Sequence, residues 1–233
     1  MSPWRSTFKN VAGAMSFGLA LLATPSSAED IASVLVRSHE QRLATLPALG
    51  SGSASVDLLE RDFGRLAAAL GPAARGALAF RVVATGSLAE TLRGDVIVVN
   101  VALADWPALA RWFVLAHELC HVRENHWAER VALYQHHIAG EVVQAKTDAV
   151  AAELGAAASQ QSHRHEHAAD ECAMNQMLDL GFAEDELLQA IMQFGNHRAT
   201  PTHPAMGQRV AHLRAVVIGR GLASRQPTPE NRL

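Results

Sequence analysis

His117-Glu118-Leu119-Cys120-His121 decides how this chain is read, because HExxH on a helix sets two imidazoles one turn apart with a carboxylate between them. At 3.6 residues per turn, positions 117 and 121 differ by about 40° around the axis, so both rings can reach one ion. Glu118 lies roughly 100° from His117, too far round for easy ligation but close enough to touch a water held by that ion. With 12 His in 233 residues, chance supplies only about 0.04 such pentapeptides. The pattern is that of a zinc site carrying its own base.

Working outward, Asp95-Val96-Ile97-Val98-Val99-Asn100 reads as a β-branched strand, and Asp105 as the N-cap of a helix from Trp106 to the region of His126. Leu109, Trp112, Phe113, Ala116, Leu119 and Cys120 give that helix a broad apolar face, so it is expected in the core. A buried helix holds two His and a Glu only when they have partners. A catalytic zinc takes three protein ligands and leaves one position open, so a third must come from elsewhere. The metzincin pattern would need Gly at position 124 and His at 127, where this chain has Glu124 and Trp127. A carboxylate on a second helix remains, with Glu141, Glu153, Glu166 and Glu171 as candidates. Glu166 is the strongest, because Asp170 follows at i+4 on the same face and can accept the outer N–H of a ligating imidazole. That second helix is expected to open near His163 and end at Leu180 before Gly181, with small Ala168 and Ala169 allowing close approach.

Three segments together resemble the HExxH, ExxxD and HPxxxxR signatures of M48 metallopeptidases: residues 117–121, Glu166-His167-Ala168-Ala169-Asp170, and His203-Pro204 with Arg209. The resemblance spans roughly residues 78 to 215 and points to a soluble periplasmic type related to Ste24, HtpX and Oma1. It departs at Cys120, where the family more often has a small residue, and at Ala168, where a Glu commonly sits. It implies an α+β fold, a mostly helical zincin-like (gluzincin) domain with a small antiparallel sheet beside the active-site helix. The sheet edge would lie along the cleft, where a peptide could add as a further strand. His203 would fold back toward the zinc, either stabilising an oxyanion or filling the fourth position, and Arg209 would brace the fold or clamp a carboxylate. His126 matches a histidine that many soluble members carry.

Residues 1–28 read as a secretory signal peptide: Arg5 and Lys9, an apolar run from Val11 to Ala23, then Ser26-Ser27-Ala28. The run is short for a span, so export to the periplasm is expected, with an uncleaved inner-membrane anchor as the alternative. No stable membrane span is expected after signal cleavage. Losing Arg5 and Lys9 moves the formal net charge from −3 to about −5, which excludes a nucleic-acid binder by electrostatics. The rest divides into N-terminal helices at 29–76 packing on the catalytic domain, a metallopeptidase domain at 77–219, and a flexible tail at 220–233.

Within these, Ile31–Leu46 and Val56–Leu70 read as amphipathic helices, the second capped by Ser55 or Asp57. Phe80–Thr85 and Asp95–Asn100 read as an antiparallel pair joined by a loop at 86–94. Between Tyr134 and Gln161, broken at Gly140 and Gly155, the plainer reading is a long connecting helix, the alternative a helical lid. Helices at Asp185–Phe194, closed by Gly195, and Ala205–Ile218 follow.

Export raises the question of a Cys120–Cys172 disulfide, but Cys172 lies about 140° from the mean direction of Glu166 and Asp170, which favours two buried free thiols. His39, His136, His137, His163, His165 and His212 read as exposed or locally hydrogen-bonded. His126, about 180° from His117 on a continuous helix, reads as structural.

The expected activity is a zinc endopeptidase with one Zn2+ per chain held by His117, His121 and Glu166. Glu118 would act as general base on a zinc-bound water, Asp170 would orient a ligand histidine, and His203 would assist. The partner would be an unfolded or extended polypeptide. The rival reading is a non-proteolytic, chaperone-like or assembly factor with the same fold, which binds such chains without cutting them.

Overall fold

The structure is a computed structural model and describes residues 29–70 and 78–223. The expected leader, the expected turn at 71–76 and the expected tail from 224 onward lie outside the described residues. Helix α1 (Ile31–Ala44) starts at Asp30, whose carboxylate accepts the Ser33 N–H at 2.8 Å. Helix α2 (Ala54–Leu70) is capped by Ser53, which takes the Val56 N–H, rather than by Ser55 or Asp57; Asp57 instead accepts from Gly52.

The sheet is mixed, which corrects the antiparallel pairing expected for the segments 80–85 and 95–100. Strands β1 (Ala79–Val83), β2 (Ala89–Leu92) and β3 (Val96–Asn100) stand in the order β1-β3-β2, with β1 parallel and β2 antiparallel to β3. The segment taken as a loop contains β2, so the chain reverses twice between β1 and β3 and the two end up parallel. The second reversal is a three-residue bend, Arg93-Gly94-Asp95, between the paired Leu92 and Val96; the Asp95 N–H donates to the Leu92 oxygen at 3.3 Å, and Arg93 and Gly94 both take positive φ (56° and 74°). A Cβ on Gly94 would lie 2.9 Å from the Trp127 Cβ, so glycine is required there twice over.

Alternation along β3 divides the core. Ile97 and Val99 pack in the main cluster with the helices, whereas Val96 and Val98 join Leu92, Leu43 and Leu46 on the α1 side. Opposed residues share a face, so Thr91, opposite Ile97, points to the helical side, and Glu90, opposite Val98, pairs with Arg42 of α1.

Asp105 does not cap the next helix. A 3-10 turn over Val101–Asp105, capped by Asn100, comes first, and α3 (Ala108–Arg123) begins after Pro107. Helix α3 is buried almost all round, as a helix at the centre of a domain should be. Arg111 anchors it to α2 through a buried ion pair with Asp62 at 2.6 Å. It stops earlier than expected because Asn125 takes a left-handed conformation (φ 57°), and α4 (His126–His137) sets off in a new direction.

Helix α5 (Gln144–Asp179) is one continuous element of 36 residues. It therefore starts well before His163, and Gly155 lies inside it rather than breaking it; Gly140, at φ 71°, does turn the chain. The stretch from Tyr134 to Gln161 is thus the end of α4, a break, and the first half of α5. Gly181 at φ 90° ends α5 as expected. Helix α6 (Glu184–Met192) and α7 (Met206–Ala223) complete the fold, α7 passing the point where the tail was expected to begin. Ala169 and Ala173 of α5, both fully buried, bring it close against α3. No helix among the described residues is long and apolar enough to cross a membrane.

Candidate metal centre

Spacing on two crossing helices assembles the site. His117 and His121 project from one face of α3, and Glu166 and Asp170, again four apart, project from the facing side of α5. The Nε2 atoms of His117 and His121 lie 3.0 Å apart. Glu166 completes a triangle, Oε2 lying 3.5 Å from His117 Nε2 and Oε1 lying 3.4 Å from His121 Nε2. Roughly 2.0–2.1 Å bonds around a tetrahedral zinc place ligand atoms about 3.3 Å apart, so these three groups have the edge lengths such an ion needs. They form the one His/Cys/Asp/Glu group among the described residues that could hold a metal ion. Glu166 Oε2 is buried without a hydrogen bond among the described residues, a cost that a cation would remove.

The outer nitrogens are engaged. His117 Nδ1 donates to Asp170 Oδ1 at 2.9 Å, fixing its tautomer so that Nε2 presents a lone pair inward. Asp170 is fully buried and accepts two further bonds from Arg209, Nε at 2.7 Å and Nη2 at 2.5 Å. Arg209 therefore clamps a carboxylate, one of the two roles its sequence context suggested. Burial penalises a charge on His117, but the hydrogen bonds and charges of Asp170 and Glu166 outweigh it and raise the ring to about 10. Burial likewise pushes Glu166 up, yet His117 and His121 hold its carboxyl well below the usual range. For Asp170 burial is again the largest influence, overcome by Arg209 and His117. The pocket favours positive charge at its centre.

His126 was placed wrongly by extending α3 through it. Because α3 ends at Arg123 and the left-handed Asn125 turns the chain, His126 swings back and its Nδ1 lies 2.9 Å from His121 Nδ1. It stacks on His165 with ring centroids 4.0 Å apart, and His165 Nε2 in turn meets Glu129 Oε2 at 2.9 Å. His165, read as exposed or locally bonded, is buried within this chain of rings. Burial, then the neighbouring His121 and His165, lower His126 to about 3, so it stays neutral.

Cys120 and Cys172 are bridged, with Cα atoms 6.0 Å apart, which corrects the expectation of free thiols. The angular argument assumed contact along one line. With Ala169 and Ala173 drawing α5 against α3, a residue on the flank of the contact still reaches across.

Glu118 stands outside the triangle. Its Oε2 accepts from the Thr91 hydroxyl at 2.6 Å, a partner the sequence reading missed because 86–94 was taken as a loop. The Arg93-Gly94 pair ahead of the β-branched run Val96-Ile97-Val98-Val99 was the available signal. His203 is at the mouth, its side chain 58% exposed and its Nε2 3.7 Å from Glu166 Oε1. A cleft of about 130 Å³ opens over these groups, walled by Leu88 and Ala89 on one side and Phe113, Val114 and Phe194 on the other. A larger hollow of about 490 Å³ beside Glu40, Arg81 and Arg93 lies away from all of them, and chemistry rather than size identifies the site.

No curated protein matches the chain. Residues 84–217, more than half of its length, match the profile of peptidase family M48, a family of metallopeptidases, and that stretch carries every group of the centre just described: the chain belongs to peptidase family M48.

Proposed function

We propose that this chain is a zinc-dependent endopeptidase cutting unfolded or extended polypeptides in the periplasm, with His117, His121 and Glu166 holding one Zn2+ per chain. The reading rests on the 3.0–3.5 Å triangle of two imidazole nitrogens and a buried carboxylate. Bound there, the ion would polarise a carbonyl and bring the pKa of a water toward about 7. Glu118 takes the proton of the attacking water and delivers it to the leaving amine, so that one carboxylate serves as base and then acid. Asp170 keeps His117 in the right tautomer, and Arg209 keeps Asp170 ionised and in place. His203, at the mouth, is placed to donate to the developing oxyanion. The outer edge of β2 pairs with no strand among the described residues and runs beside the cleft, which suits an extended chain added by main-chain bonds. The periplasmic setting is supported by the leader-like residues 1–28.

Purified protein loaded with zinc should fragment an unfolded protein such as reduced casein, and Glu118→Gln should abolish cleavage while keeping its metal. Equal fragments from both would remove Glu118 as the base, and binding without fragments from either would favour a chaperone-like role. Glu166→Ala should lower zinc stoichiometry, and unchanged metal would move the third ligand elsewhere.

A further inference from the structure

We propose that Thr91 is the positioning residue for Glu118: its hydroxyl occupies one carboxylate oxygen and leaves the other to exchange protons with the reactants. This rests on the peptidase reading above. The Thr91 Oγ1 lies 2.6 Å from Glu118 Oε2 and 3.1 Å from the Glu118 backbone oxygen. A hydroxyl has one proton, and the shorter contact to the charged acceptor takes it. Glu118 Oε1 has no hydrogen-bond partner among the described residues, and the side chain lines the cleft.

Glu118 needs such an anchor. Its helical neighbours at i±4, Val114 and Val122, are apolar and offer its carboxylate no bond. The side chain turns about three bonds, and a base that samples several orientations meets the reacting proton less often. Thr91 can anchor it because strand alternation and the paired Ile97 aim it at α3, while the Arg93-Gly94 turn two residues on fixes that register. Thr91 also touches the backbone of α3, so simple strand-to-helix packing is the alternative, and the hydroxyl must be tested apart from the shape.

Thr91→Val removes the hydroxyl and keeps the branched outline, while Thr91→Ser keeps the hydroxyl. On a fluorogenic peptide, Thr91→Val is expected to lose about tenfold to a hundredfold in kcat with KM within about twofold, and Thr91→Ser to recover most of it. Melting temperature and zinc stoichiometry should match wild type in both. A readout independent of turnover is the calorimetric affinity of the zinc-loaded protein for a peptide hydroxamate, whose hydroxyl proton needs a correctly aimed carboxylate. That affinity should fall about tenfold in Thr91→Val and not in Thr91→Ser. Wild-type values for Thr91→Val in both assays would overturn the proposal, as would equal losses in the two variants or loss of zinc in Thr91→Val. A wild type that cleaves nothing would end the peptidase reading, and the hydroxamate titration would still decide the role of Thr91.

Discussion

His117 and His121 sit one turn apart on the same helix and face the same point, yet their surroundings are opposite. Behind His117 stands a charged relay, Asp170 and then a bidentate Arg209, which ties α3 to α5 and α7. Behind His121 stand two uncharged rings, His126 and His165, ending at the half-exposed Glu129. Charge-assisted bonds are about twice as strong as neutral ones, so the His117 side should be the stiffer. On the His121 side the covalent Cys120–Cys172 bridge, one residue away, supplies what the rings do not. Two ligands of one type are thus held by different physics, ionic in one half and covalent in the other.

The contrast predicts its own breaking points. Asp170→Ala should be the most damaging change, because it takes from Arg209 both of its short bonds and leaves that buried charge only Glu166, 3.6 Å away, at a penalty of up to about 3–5 kcal/mol, and frees His117. A variant melting near wild type, with zinc affinity reduced less than about tenfold, would contradict the ionic half. Replacing Cys120 and Cys172 by alanine removes a bridge spanning 52 residues. Chain entropy gives this about 4 kcal/mol at most, or a fall on the order of 10 °C in melting temperature. His126→Asn should leave the fold intact and weaken zinc by about tenfold. The loss should be greater in the alanine double variant, since the two supports of His121 would then fail together.

The effects of pH have opposite signs in the two halves. In metal-free protein His117 is raised to about 10, so its stabilisation is complete below its unfolded value near 6.5 and is lost as pH climbs from there to about 10. His126 is lowered to about 3, so its contribution is complete above about 6.5 and is lost as pH falls toward 3. Melting curves in chelator from pH 4 to 10 should show an alkaline slope that Asp170→Asn flattens and an acid slope that His126→Asn flattens. A single variant flattening both would show that the two halves are one unit.

What was legible in the sequence follows the same division. His117, His121, Glu166 and Asp170 could be assigned because i+4 spacing within a helix is a local property that folding does not alter. The α+β fold and most helices were legible too, from apolar periodicity and from glycine stops such as Gly181 and Gly195. The failures all depend on where one element stops or how closely two approach. His126 was misplaced because a single left-handed residue, Asn125, ends α3 within a run that reads as helix. The disulfide was missed because an angle on one helix says nothing of its distance to another. Strand β2 escaped because it is four residues long and carries two polar side chains, one for each face of the sheet. Glu129 comes from another part of the chain, and only folding brings it together with the site.

The Arg93-Gly94 reversal reaches further than its size suggests. Side chains on β2 alternate, so sliding this ribbon by one position would turn Thr91 outward and swing the acidic Glu90 or the greasy Leu92 beneath Glu118. Two left-handed residues, the second lying close to Trp127, thus choose whether the reactive carboxylate is met by an alcohol, by a like charge or by a hydrocarbon. Lengthening this bend by one glycine would scramble the chemistry of the cleft while leaving both of its helices in place.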